Sequence, residues 1–280
     1  GSAGAEEASR TWLGGGEKPR GGGTMPPPRS DGDAAGGGHG GGGAAALRIC
    51  STIGAPAGPL DVAAGALAHF AVWGGGMVLG PLSLLLAPLG LAVLPVRWSV
   101  PFAATVAGLC ALRLPESSLF CRLYLRSASL LSGGTTLWVA DDVNPELGEG
   151  TMICYHPHGI IPHGFSLNGA IRAKARDRKY LHDIKVNHRI SGVQAPVLFR
   201  IPILRQCLNM FGCATPATKA GMRSLFKQKL SFGIIVGGSE DVALHIRGRE
   251  RIFLRSRAGF LKYAMQYGYK VAIAYNFGES

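Results

Sequence analysis

Residues 62 to 96 form a run of 35 without Asp, Glu, Lys or Arg, and His69 is its one titratable side chain. As one helix the run would reach about 52 Å at 1.5 Å per residue, well beyond a ~30 Å hydrocarbon layer. It is therefore expected to bend. Gly74, Gly75 and Gly76, with Gly80-Pro81, offer the place, giving two legs at 62–79 and 82–96 of a re-entrant or spanning hairpin. A third apolar run, 98–112, follows the lone Arg97 and ends at Arg113, so the second leg could extend toward 112. A buried helix pair in a water-soluble core is the alternative, but such a core has no need of 35 uncharged residues.

The stretch before the run differs in kind. Residues 1–47 include 16 glycines, with Pro26, Pro27 and Pro28, and have almost nothing to bury. No Gly-X-Y period supports collagen and no signal-peptide pattern opens the chain, so a disordered leader is expected. Position 1 is Gly, not Met, which suggests a fragment.

Charge divides the chain at about residue 150. Residues 1–150 carry 9 Lys and Arg against 11 Asp and Glu, a net of −2; residues 151–280 carry 20 against 6, a net of +14. Hydrophobic residues make up 47% and charged residues 16%, which excludes a fully disordered chain and an acidic tail. Six scattered cysteines (50, 110, 121, 154, 207, 213) lack a C-x-x-C or framework spacing and read as reduced, packed thiols. Arg113, Arg122 and Arg126 follow the apolar block, so the basic half is expected on the cytosolic face, and a hairpin would return the leader there too.

One segment of the basic half carries chemistry. Thr151 to Tyr155 reads as a buried strand that runs straight into His156-Pro157-His158-Gly159, and a helix is expected from Phe165. In α/β folds ligands gather outside the carboxyl ends of strands, at such junctions. His158, taken to lie near the helix start, would stay neutral there and serve as a general base. Five of the eight histidines lie between 156 and 188 (His156, His158, His163, His182, His188), so a metal is the competing reading. No Asp or Glu occurs between 150 and 176 and no Cys pair completes a site, so no metal is expected. Loop histidines satisfied by backbone would be the bland alternative for the motif alone.

Four more blocks follow in order: Phe199-Arg200-Ile201-Pro202 with Leu204-Arg205 and Gly212-Cys213; Val236-Gly237-Gly238-Ser239-Glu240; Arg257-Ala258-Gly259-Phe260 with Ala264; and Tyr275-Asn276-Phe277-Gly278-Glu279. With Tyr155 and the His-Pro-His-Gly turn, these resemble the type-2 acyl-CoA:diacylglycerol acyltransferase family, which includes monoacylglycerol and wax-alcohol acyltransferases. The likeness covers about 150–280. It implies an α/β fold, a glycerolipid-acyltransferase-like domain over 113–280 preceded by a membrane hairpin region over 48–112 and the leader over 1–47.

The resemblance also implies acyl transfer from acyl-CoA to diacylglycerol, with no cofactor beyond that co-substrate. The implied catalytic residues are His158, His156 and Glu240. The implied substrate-binding residues are Pro157, Gly159, Gly237, Gly238, Arg257, Gly259, Phe260 and Glu279. Glu240 would orient an imidazole or hold the acceptor hydroxyl, standing in for the acid of a His-x4-Asp pair, whose place is taken by Ile161; capping of a short helix is its other reading. Membrane lipids are implied partners, a homo-oligomer is allowed, and the implied site is the endoplasmic reticulum membrane or a lipid droplet. The basic run 247–257 has only Phe253 as an interleaved aromatic, so no nucleic acid is expected; anionic headgroups or CoA phosphates suit it better. The family's carboxy-terminal part would be missing after Ser280, and the chain as it stands is expected to be weakly active or inactive. Monoacylglycerol or alcohol acylation, a non-catalytic lipid-binding scaffold and a His-metal hydrolase are the alternatives.

Overall fold

The computed structural model describes residues 47–53, 58–128, 134–140, 150–171, 190–246, 249, 251–254 and 259–278, all within the compact unit Ala44–Ser280. Apart from Leu47, the expected leader lies outside the described residues, as do His182, His188, Arg247, Arg255, Arg257 and Glu279.

The apolar run does not break where its glycines suggest. One helix, α1, spans Pro59–Val93, and its middle, Ala71–Leu79, is wound as a π-helix. There the N–H of Gly80 reaches the carbonyl of Gly75, five residues back, and the widened register carries the helix past Pro81. The glycines serve close approach instead. A Cβ on Gly75 would stand 3.1 Å from Ile203 Cγ2, one on Gly76 2.9 Å from Leu204 Cβ, and one on Gly80 2.6 Å from Ile201 Cγ2. The corner comes later, at Leu94-Pro95, where Leu94 is extended (φ −101°, ψ 154°) as a residue before proline prefers. Helix α2, Val96–Ala111, then packs back on the second half of α1. A helical hairpin is present, with its corner 14 residues beyond Gly80.

Little of this hairpin is covered. Only 22% of its most apolar window is buried, and Leu67, Phe70, Leu85 and Trp98 all face outward. Of the described helices, one is long and apolar enough to cross a membrane. Helix α3, Ser118–Leu125, is capped by Ser117, whose hydroxyl accepts from Phe120 N at 3.1 Å. It lies against the start of α1, where Arg126 pairs with Asp61 at 2.8 Å.

Strands β1, Leu47–Ile53, and β2, Thr135–Ala140, form an antiparallel pair. The basic half builds a parallel five-stranded sheet from β3 (Thr151–His156), β4 (Ser191–Gln194), β5 (Ala214–Pro216), β6 (Phe232–Ile235) and β7 (Lys270–Tyr275). Its order is β5-β4-β6-β3-β7, so β3 lies between β6 and β7. All six residues of β3 are buried, as expected of a strand in a parallel sheet. Met152 and Cys154 point to one face, against Phe226, Phe232 and Tyr269; Ile153 and Tyr155 point to the other, against Phe165. Phe226 meets Phe232 and Tyr269 edge-on, at 5.4 and 4.9 Å between centroids. Each such ring contributes about 1.5–3 kcal/mol by leaving water.

Between the strands run α4 (His163–Asn168), a 3-10 turn (Pro196–Arg200), α5 (Leu204–Phe211), α6 (Lys219–Lys227), α7 (Ser239–Ala243) and α8 (Gly259–Gln266). The Gly212-Cys213 pair of the sequence is the end of α5: Gly212 is left-handed (φ 63°) and returns its N–H to Asn209 and Leu208 carbonyls. The start of α5 is less ordinary. Ile203, a β-branched residue, has φ 68° and ψ −55°, and the Leu204 N–H closes onto the Pro202 carbonyl at 2.8 Å, a classical γ-turn. Gln206 Oε1 accepts from the Ile203 N–H at 2.6 Å, and Gln206 Nε2 donates to the Leu109 and Leu112 carbonyls at the end of α2. Cys110, Cys121, Cys154, Cys207 and Cys213 are free thiols.

Candidate active site

Three strand ends meet. Pairing of His156 with Tyr275, and of Tyr155 with Ile235, sets the carboxyl ends of β3, β6 and β7 side by side. The turn after β3 therefore faces the Gly-rich turn after β6 and Asn276 after β7, the place where open α/β sheets hold ligands.

His156 is the last residue of β3 and shares its face with Met152 and Cys154. It is 7% exposed, its Nδ1 has no hydrogen-bond partner, and its carbonyl accepts from Asn276 N at 2.7 Å. Burial lowers its pKa, opposed by the charge of Asp241. The His156-Pro157 bond is cis, and Gly159 is left-handed at φ 62°. Pro157 and Gly159 are buried while His158 between them is half-buried. His158 Nδ1 lies 2.9 Å from the Gly159 carbonyl oxygen. A carbonyl only accepts, so Nδ1 is the donor here, and in the neutral ring the lone pair then lies on Nε2.

The helix after this turn begins at His163, with Pro162 at its cap, and so His158 does not sit at a helix start. The helix begins two residues before the Phe165 expected from the sequence, yet Pro157, Gly159 and Pro162 still keep the segment up to its cap out of helix. The tautomer of His158 is fixed by its neighbour's carbonyl rather than by a helix end. Gly164 receives the side chain of Asn276, into which a Cβ would run. Asn276 thus ties both ends of the turn, by its backbone at His156 and its side chain at Gly164.

After β6, Gly237 is buried and Gly238 is left-handed (φ 61°). A Cβ on Gly237 would fall on the carboxylate of Asp241. Glu240 lies in the first turn of α7, half-exposed, and takes a hydrogen bond from Ser239 Oγ at 3.0 Å. The buried acid is its neighbour. Asp241 is 3% exposed, its Oδ1 accepts from Phe253 N at 2.6 Å, and its Oδ2 is buried without a partner. A Gly-Gly-x-x-acid loop counted from Gly237 reaches Asp241, the next residue after Glu240. Asn276 belongs to the Tyr275–Glu279 block, whose residue types alone assign it no chemistry.

Gly259 and Phe260 are placed otherwise. Phe260 packs on the cluster around Phe226, and Gly259 opens α8 with nothing within 4 Å of where a Cβ would stand. Among the described residues no three His, Cys, Asp or Glu gather as metal ligands.

A family model described as "Diacylglycerol acyltransferase" matches residues 139–280. The human protein "Diacylglycerol O-acyltransferase 2-like protein 6" is 30% identical over 142 residues, covering 50% of this chain and 40% of that protein. "Diacylglycerol O-acyltransferase 2" of Dictyostelium discoideum is 34% identical over 130 residues, covering 46% and 38%, and the human protein of that name is 30% identical over 129 residues, covering 45% and 32%. The chain thus spans about two fifths or less of the length of these relatives. No solved structure matches it.

Proposed function

The chain belongs to the diacylglycerol acyltransferase family, and from that premise we propose that it transfers a fatty acyl group from acyl-CoA to the free hydroxyl of diacylglycerol, forming triacylglycerol. The observation that carries this reading is the His156-Pro157-His158-Gly159 turn at the carboxyl end of β3, with a neutral-poised imidazole and a buried acid beside it.

In the proposed reaction the acceptor hydroxyl oxygen attacks the thioester carbonyl carbon, and His158 Nε2 takes its proton. The carbonyl electron pair moves to oxygen, where a ring N–H of uncharged His156 and backbone N–H groups near Gly159 steady it. The C–O bond forms, the C–S bond breaks, and the CoA thiolate leaves and takes the proton from His158. A thiolate is a competent leaving group, so no metal enters this scheme. The charge of buried Asp241 acts on His156 through space and opposes the effect of burial on that imidazole. Glu240, Gly237 and Gly238 form the turn that closes over the reacting carbon, while Arg257 and Glu279 are assigned to substrate by their motif positions alone.

The same reading sets the domain against a bilayer. The hairpin α1–α2 would lie in the hydrocarbon of the endoplasmic reticulum or a lipid droplet, and Arg113, Arg122 and Arg126 would keep the glycerolipid-acyltransferase-like domain on the cytosolic side. Its basic surface suits a leaflet of anionic lipid and a polyanionic thioester.

Microsomes carrying the full-length protein and given radiolabelled acyl-CoA should form triacylglycerol, and His158→Ala should lower the rate about 100-fold or more. Unchanged turnover in His158→Ala would refute the base assignment; product from monoacylglycerol or a long-chain alcohol, with none from diacylglycerol, would reassign the acceptor.

A further inference from the structure

His163, five residues past His158, turns toward the apolar helix rather than the sheet. Its ring stacks on His69 of α1 (centroids 5.6 Å apart, 29° between planes) and meets Trp73 edge-on (6.0 Å, 73°). His69 in turn stacks on Tyr124 of α3 at 6.4 Å, and Trp73 Nε1 donates to the Tyr124 hydroxyl at 3.1 Å. The phenol and the indole are paired. The imidazoles are not: His69 Nδ1 and His163 Nε2 are both buried without a hydrogen-bond partner. Leaving one such group unpaired costs roughly 1–3 kcal/mol, and two occur in one ring cluster that the acyl-transfer scheme does not use.

The chemistry of the cluster selects its ligand. Burial, aided by His69, pushes the His163 pKa down to about 4, so it offers a neutral hydrogen bond rather than a cation for phosphate. His69 and Trp73 belong to a helix whose Leu67 and Phe70 face outward at 71% and 58% exposure, the surface that α1 would present to hydrocarbon. A molecule arriving from that side is an uncharged lipid with a few oxygen atoms. We propose, resting on the acyl-transfer reading, that His69 and His163 form the acceptor subsite, where they hydrogen-bond the ester oxygens of a neutral glyceride entering from the bilayer. The free hydroxyl of that glyceride is then held toward the His158 turn, and His69 and His163 decide which lipids are accepted.

Two measurements test the subsite on the intact protein in lipid nanodiscs. In the first, rates are titrated with diacylglycerol and with acyl-CoA separately. His69→Phe and His163→Phe keep a ring, and each should raise the KM for diacylglycerol about tenfold and leave that for acyl-CoA unchanged. His163→Gln should recover part of the loss. Unaltered KM values, or equal rises for both substrates, would overturn the proposal. In the second, a photoactivatable diacylglycerol should label the peptide holding His69 and Trp73, and the double Phe variant should lose that label. Equal labelling of the double variant would overturn the subsite. A protein that takes the label yet transfers no acyl group would fail the acyl-transfer reading while upholding the subsite.

Discussion

Along Pro59–Ala111 most of the large side chains face outward and most of the glycines face in, whereas in the five-stranded sheet the rings face in and the polar groups gather at one end. In the helices, what is buried is backbone brought close to backbone. Gly65 lies on Arg126 and Ser127, and Gly76 and Gly80 on the 201–204 corner, so the absence of a side chain is the contact. In the sheet, contact comes from Phe226, Phe232 and Tyr269, and the groups that chemistry needs are left at the strand ends with unused hydrogen-bonding capacity. Glycine in the one region is sensitive to added volume, and imidazole in the other to lost hydrogen-bonding groups.

That contrast is open to breaking. Gly80→Val would drive a side chain into Pro202 and Ile201 and should lower stability by about 1–3 kcal/mol. Gly108→Ala, in α2 where a Cβ meets nothing within 4 Å, should raise stability by about 0.5–1 kcal/mol. Thermal unfolding of the detergent-solubilised protein separates the two; equal effects would erase the distinction between notch and open helix.

At the strand ends, Asp241→Asn keeps the side-chain volume and an acceptor for Phe253 N–H but removes the charge that supports a protonated His156. Turnover should fall about tenfold. Because the charge had favoured imidazolium, the acidic limb of the pH–rate profile should move to lower pH; a fixed limb would detach Asp241 from His156.

The remaining effect is on pH stability. His163 has a folded pKa of about 4 against 6.5 for a free histidine, so in that window the unfolded chain binds a proton that the folded one refuses. The unfolding free energy should therefore fall as pH drops from 6.5 toward 4 and level off below. Denaturant titrations should show a shallower slope for His163→Phe.

The two regions were not equally legible in the sequence. The absence of charge from 62 to 96 is a statement about solvent, and it announced an apolar helical element without any partner being known. Its corner was misplaced because glycine and proline have two uses. Local chemistry cannot tell a turn from a notch: Gly80-Pro81 became a notch only because residues 201–204, more than a hundred positions later, press on it. The strand that ends in His156 was legible, since an apolar run stopped by Pro and Gly admits few alternatives. Which acid is buried was not: Glu240 and Asp241 are adjacent, and the fold decides that Asp241 is the enclosed one. His69 and His163 lie 94 positions apart in the chain, and no period or motif joins them.

The γ-turn at Ile203 gives the seam between these regions a mechanical character. A β-branched residue at φ 68° sits about 1–3 kcal/mol above its relaxed conformation, so neighbours must keep it there. Gln206 holds its N–H, and Gly75 leaves room for its side chain. Part of the energy gained when the apolar helix meets the sheet is thus kept in the corner as tension. If the two part, the corner relaxes, and that release lowers the work of separation.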